Sequence, residues 1–151
     1  MPGSWNPAHH TDLTDKTCVV TSPVTKSYNC IAWAATGSAD APWWWPIPAS
    51  YYWPDGVSRE VTIPAFLAAF ATLGFVECDN GKLDSSFEKI ALYGNRMPWG
   101  TIEPTHAARQ LPDGKWTSKL GVLEDITHNK DADVNGPIYG GVVHYMKRPS
   151  T

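Results

Sequence analysis

Between Pro42 and Pro54 the chain reads Pro-Trp-Trp-Trp-Pro-Ile-Pro-Ala-Ser-Tyr-Tyr-Trp-Pro, and this stretch rules out most ways of building the first half of the molecule. Proline fixes its own φ and has no N–H to donate, so prolines this closely spaced forbid a regular helix or a central strand. What remains is an ordered aromatic loop. The chain has 8 Trp and 13 Pro in 151 residues, and this loop holds a large share of both. Some of its rings must roof the core, while others are free to line a cleft for a peptide or a carbohydrate; Trp44, Trp45 and Trp53 are the candidates.

Regular elements flank the loop. Thr17-Cys18-Val19-Val20-Thr21 predicts an edge strand, and a helix is expected from Cys30 to Ala35, stopped near Gly37. A second helix follows Thr62, which can cap it. Pro64 is tolerated in its first turn, and Ile63, Phe66, Leu67, Phe70 and Leu73 recur at helical spacing before Gly74. Strands are then expected over Phe75 to Cys78, Phe87 to Tyr93, Thr105 to Leu111, Lys115 to Lys119 and Ile138 to Met146. A hairpin turn is expected at Pro112-Asp113-Gly114. Helices first and an antiparallel sheet after them predict an α+β fold in a single domain over 1–151, with residues 1–15 mobile or loosely packed.

The chemistry centres on Cys30. In Ser27-Tyr28-Asn29-Cys30-Ile31-Ala32 it opens the first helix, where unpaired N–H groups favour a thiolate. His106, on a strand that alternates His106, Ala108 and Gln110 with Thr105, Ala107 and Arg109, is the expected general base, its ring turned toward that helix. Cys18 and Cys78 sit in apolar strand contexts and read as core fillers. His144 is a second ring that could approach Cys30, His128 is expected to close a turn, and His9 and His10 fall in the mobile end. Three cysteines at wide spacing and scattered histidines predict no metal site, and no cofactor is expected.

With 12 basic and 15 acidic residues and no basic stripe, binding to nucleic acid is disfavoured. No apolar run reaches the roughly 20 residues needed to span a bilayer, and Met1-Pro2-Gly3-Ser4-Trp5-Asn6 does not open a signal peptide. The expectation is a cytoplasmic protein with free thiols, which would meet peptidoglycan only through a secretion apparatus or a phage.

The segments SYNCIAWAA, WWWP, YYWPDGV, AFATLGF, FEKIALYG, THAARQLPDGKWTSKLG, EDITH and YGGVVHYMKRP resemble those of small bacterial domains of this length known only by a domain-of-unknown-function designation. The order of a Cys helix and a His strand further resembles papain-like hydrolases, including the NlpC/P60 and CHAP amidases. That resemblance implies a papain-like fold with N-terminal helices packed on a C-terminal antiparallel sheet. It implies Cys30 as nucleophile, His106 as base and, on the next strand, Ser118 as the third member, with Gln110, Glu124 and Asp125 as alternatives. Asn29 is the nearest amide for an oxyanion hole. The function so implied is thiol-dependent hydrolysis or acyl transfer at an amide or isopeptide bond of a peptide, protein or peptidoglycan-like substrate. The alternative is an inactive binding, immunity or adaptor domain that works through the aromatic loop.

Overall fold

The computed structural model describes residues 10, 13, 14 and 16–150, so most of the 1–15 segment lies outside the described residues. Its centre is one seven-stranded antiparallel sheet. The strands are β1 (Cys18–Val20), β2 (Val76–Cys78), β3 (Phe87–Arg96), β4 (Ile102–Gln110), β5 (Trp116–Lys119), β6 (Asp125–His128) and β7 (Gly141–Pro149), in the order β1-β6-β5-β4-β3-β7-β2. The helices are short: α1 (Cys30–Thr36) and α2 (Ile63–Ala71).

This corrects the expected architecture. The molecule is mostly sheet and not a layer of helices packed on one, and no papain-like fold is indicated. The reason lies in lengths. Gly37, at φ +63, stops α1 after two turns, and the prolines that follow hold the chain in loop until Thr62. An N-terminal segment also joins the sheet, with β1 paired to β6. The β6 strand itself escaped sequence reading because Asp125-Ile126-Thr127-His128 is short and half polar. His128 lies in that strand and does not close a turn.

Cross-strand register assigns each residue to a face. Leu92 lies opposite Ala107, and Ile90 opposite Arg109, while Tyr93 lies opposite His106 and Ala91 opposite Ala108. The first set packs with α1, α2 and the aromatic loop, in a cluster that includes Ile31, Trp44, Trp53, Phe66, Phe70 and Met146. The second packs with Trp116, Ile126, Val134 and Tyr139. Both faces are covered, and β3 is therefore buried continuously from Ile90 to Tyr93 instead of alternating.

Charged groups tie α1 to the sheet. Arg109 Nη1 donates to the Ala34 carbonyl at 2.8 Å near the C-terminal end of α1, and its Nη2 reaches Glu88 at 3.0 Å. Glu88 also accepts from Arg148 Nε at 2.6 Å. Burial pushes the Glu88 carboxyl up, but the hydrogen bond from Arg148 and the two guanidinium charges outweigh it, and the group ends below its ordinary value. At the other end Asn29 caps the helix by accepting from the Ala32 N–H at 3.1 Å.

Candidate functional site

Cys30 opens α1 beside a cleft of about 420 Å³, lined by Asn29, Cys30, Trp43, Trp45, Ile47, Tyr51, Thr105, Gly121 and Tyr139. Not one of these carries a charge. Asn29 also holds the cleft wall together: Oδ1 accepts from the Trp44 N–H at 3.2 Å, and Nδ2 donates to the Trp44 carbonyl at 2.6 Å. One amide thus fixes both the start of the helix and the path of the loop. Of the three tryptophans expected at a substrate surface, only Trp45 lines the cleft. Trp44 is buried against Tyr52, and Trp53 is buried against Phe66 with its Nε1 donating to the Ser58 carbonyl at 2.9 Å. Trp43, Tyr51 and Tyr139 are the rings that sequence reading missed; a run of three tryptophans does not show which one turns outward.

The Cys30 sulfur meets backbone donors. The backbone N–H groups of Ala107 on β4, of Ile31 and of Cys30 itself favour its charged form, and the Lys119 ammonium adds to that effect. The ladder between β4 and β5 has rungs only at Arg109–Thr117 and Gln110–Trp116, after which the strands part. Even so, burial dominates and pushes the Cys30 thiol up to about 11, against what the helix N-terminus alone leads one to expect. At rest this is a neutral thiol.

Lys119 is itself fully buried. Its Nζ donates to the carbonyls of Thr25 at 2.7 Å, Gly121 at 2.9 Å and Leu123, and lies 5.2 Å from the centre of the Tyr28 ring. Burial pulls its pKa down, while Asp125 raises it. Asp125 in turn accepts from the Tyr28 hydroxyl at 2.6 Å.

His106 is also fully buried, but on the other face. Its ring stacks on Tyr139 at 3.9 Å and 7°, and meets Tyr93 edge-on at 5.0 Å. It does not turn toward α1. Nε2 lies 3.0 Å from Ser118 Oγ, and Nδ1 has no hydrogen-bond partner, so no hydrogen bond joins it to Cys30. Their neighbours link the two residues: Ala107, next to His106, packs in the same cluster as Cys30, and Tyr139, stacked on His106, lines the cleft. Burial holds the His106 imidazole well below its usual range, with the charges of His128 and His10 adding to that effect.

Among the four candidates for a third member, the structure brings only Ser118 to His106. Gln110 donates to the Gly81 carbonyl at 2.7 Å, Asp125 serves Tyr28, and Glu124 is buried near the β5–β6 turn without a bond to the ring. Ser118 continues to His128, whose Nε2 is 2.8 Å away. His10 is not loose: Nδ1 is 3.0 Å from the Val134 carbonyl and its ring meets Tyr139 at 4.8 Å, while His9 lies outside the described residues.

All three cysteines are free; Cys18 is buried and Cys78 half-buried. His144 pairs with Glu77 at 2.6 Å in a larger groove of about 970 Å³, which also holds Trp99 but no cysteine. Among the described residues no group of His, Cys, Asp or Glu could hold a metal, and no helix is long and apolar enough to cross a membrane.

A family model described as a domain of unknown function, DUF7689, matches residues 19–147. The chain belongs to that family. No curated protein and no solved structure matches it. The matched span contains Cys30, His106, Ser118, His128 and Tyr139, hence every polar group discussed above except His10.

Proposed function

We propose that this domain is a thiol-dependent hydrolase or acyltransferase acting on an amide or isopeptide bond, with Cys30 as nucleophile and His106 as base. The observation that carries the reading is a cysteine at the head of α1 lining an uncharged, aromatic-walled cleft, where nearby backbone N–H groups favour negative charge on the sulfur. Donors so arranged stabilise negative charge on sulfur and, close by, on a carbonyl oxygen under attack. The cleft walls favour a peptide or protein substrate that presents an apolar or flat uncharged group to Trp43, Trp45 and Tyr51.

In the reaction Sγ forms a bond to the carbonyl carbon as its proton passes to His106 Nδ1. The C–N bond then breaks, the leaving amine takes that proton, and water or a second amine resolves the thioester. Because thiol and imidazole both rest neutral, proton transfer accompanies attack and no ion pair precedes it. Because His106 faces away from α1, the transfer requires a rearrangement of the site that brings Nδ1 to the sulfur.

A second reading, a domain that binds without catalysis, is favoured by the raised thiol pKa and by the lack of a Cys30–His106 hydrogen bond. Incubation with a panel of aryl esters and aminocoumarin amides, followed by intact-mass measurement, separates the two. An acyl adduct that maps to Cys30 and vanishes in Cys30→Ala supports the enzyme. An adduct-free protein whose tryptophan fluorescence is quenched equally in wild type and Cys30→Ser, and not in Trp45→Ala, overturns it in favour of binding.

A further inference from the structure

The buried polar chain behind His106 has a direction that can be worked out donor by donor. It begins at His128, whose Nδ1 lies 2.7 Å from the Lys130 carbonyl. A carbonyl only accepts, so Nδ1 must carry the hydrogen. In a neutral His128 the other nitrogen is then a bare acceptor, and burial holds this ring below its usual pKa although the Lys130 carbonyl and the charges of Asp133 and Asp131 oppose it. Ser118 must therefore donate its single hydrogen to His128 Nε2. Its oxygen is left to accept, and the partner it accepts from is His106 Nε2, 3.0 Å away.

We infer that His128, acting through Ser118, fixes the tautomer of His106: Nε2 bears the hydrogen, and Nδ1, the atom without a partner, is the free base. The reverse chain is costly on two counts. It would need a doubly protonated His128, and it would leave a buried His106 Nδ1–H with no acceptor, a rarer and more expensive defect than an unused lone pair. His128 is thus a positioning residue. It touches neither the cleft nor the sulfur, yet it decides whether the atom of His106 that is not tied to Ser118 can take a proton. The consequence for turnover rests on the proposed role of His106 as base; the tautomer does not.

Long-range ¹H–¹⁵N correlation spectra of the whole ¹⁵N-labelled chain at neutral pH read the tautomers directly. Expected are an unprotonated Nδ1 on His106 and an unprotonated Nε2 on His128. A proton on either atom in the wild type overturns the inference, whether or not any variant folds. His128→Phe removes the acceptor, frees Ser118 to donate to His106 Nε2, and should move a substantial fraction of His106 to the Nδ1–H form; an unchanged tautomer in the folded variant also overturns it. Where an acyl adduct forms on Cys30, His128→Phe should lower kcat on the order of 10²-fold with KM little changed. The expected tautomers together with no adduct on Cys30 would leave the relay standing and remove the enzymatic reading alone.

Discussion

The two faces of the sheet solve the same burial problem with opposite materials. The face under α1, α2 and the aromatic loop is packed with Phe66, Phe70, Ile31, Trp44 and Trp53, and its polar groups satisfy loops and helix ends. The opposite face has apolar residues too, but it also buries His106, Ser118 and His128, and His10 packs beside them against Tyr139. Apolar packing tolerates imperfect geometry at a graded cost. A buried chain of hydrogen bonds tolerates little, since one missing link strands the next group. The first face therefore shapes a cleft, and the second orders a chain of buried rings through Ser118.

Five experiments would break or sharpen that contrast. The largest effect expected is on chemistry: Cys30→Ala should abolish acyl adduct formation in intact-mass spectra, whereas Trp45→Ala should weaken and not eliminate it. Equal loss in both would mean that the cleft and the sulfur are not separable. Next is the apolar face, where Phe66 is fully buried between Trp45 and Trp53 at 5.2 and 5.1 Å. Phe66→Ala should cost about 3–5 kcal/mol in urea denaturation. A cost under about 1 kcal/mol would show that the loop does not lean on α2.

On the polar face, Ser118→Ala removes the link between two buried rings and should cost about 1–3 kcal/mol. The same face sets the pH response. His106 and His128 are both depressed by burial from the ordinary 6.5, so the unfolded chain takes up protons first as pH falls. Their stability contribution is full above about 6.5 and is lost progressively below it, at up to roughly 1.4 kcal/mol per pH unit for each ring. The urea midpoint measured from pH 7.5 to 5.5 should fall, and His128→Phe should shallow the slope by about half. A flat profile would show that neither ring resists protonation. The smallest effect is expected from Asn29→Ala, about 1 kcal/mol for the lost helix cap. Its Trp emission should shift red as the Trp44 backbone loses both anchors.

Much of the local structure was legible beforehand because it depends on neighbours in sequence. Thr62 caps its helix, Gly37 and Gly114 take the positive φ that their stops and turns require, and the hairpin at Pro112-Asp113-Gly114 joins β4 to β5. The resemblance to papain-like hydrolases named Ser118 as one of four candidates to stand beside His106, and the two side chains lie 3.0 Å apart. Beyond these cases the reading failed. β6 is too short to announce itself, so His128 could not be seen as the next group in the chain. Which tryptophans face the cleft depends on the path that Asn29 imposes on the loop, and Tyr139 reaches the site from a connecting segment far along the sequence.

Residue order alone determined where helices start and stop, that the proline-rich stretch is loop, and that a thiol stands at the head of α1. Only the tertiary structure decided what that thiol and its histidine are like. Local sequence supplies N–H groups that favour a thiolate, but burial acts through everything packed around the sulfur and leaves it protonated. In the same way strand alternation placed His106 and Ala107 on opposite faces, while the side to which each face turned depended on which segments came to cover it. Dihedral preferences and caps are properties of a few adjacent residues; solvation and side-chain partners belong to the whole fold.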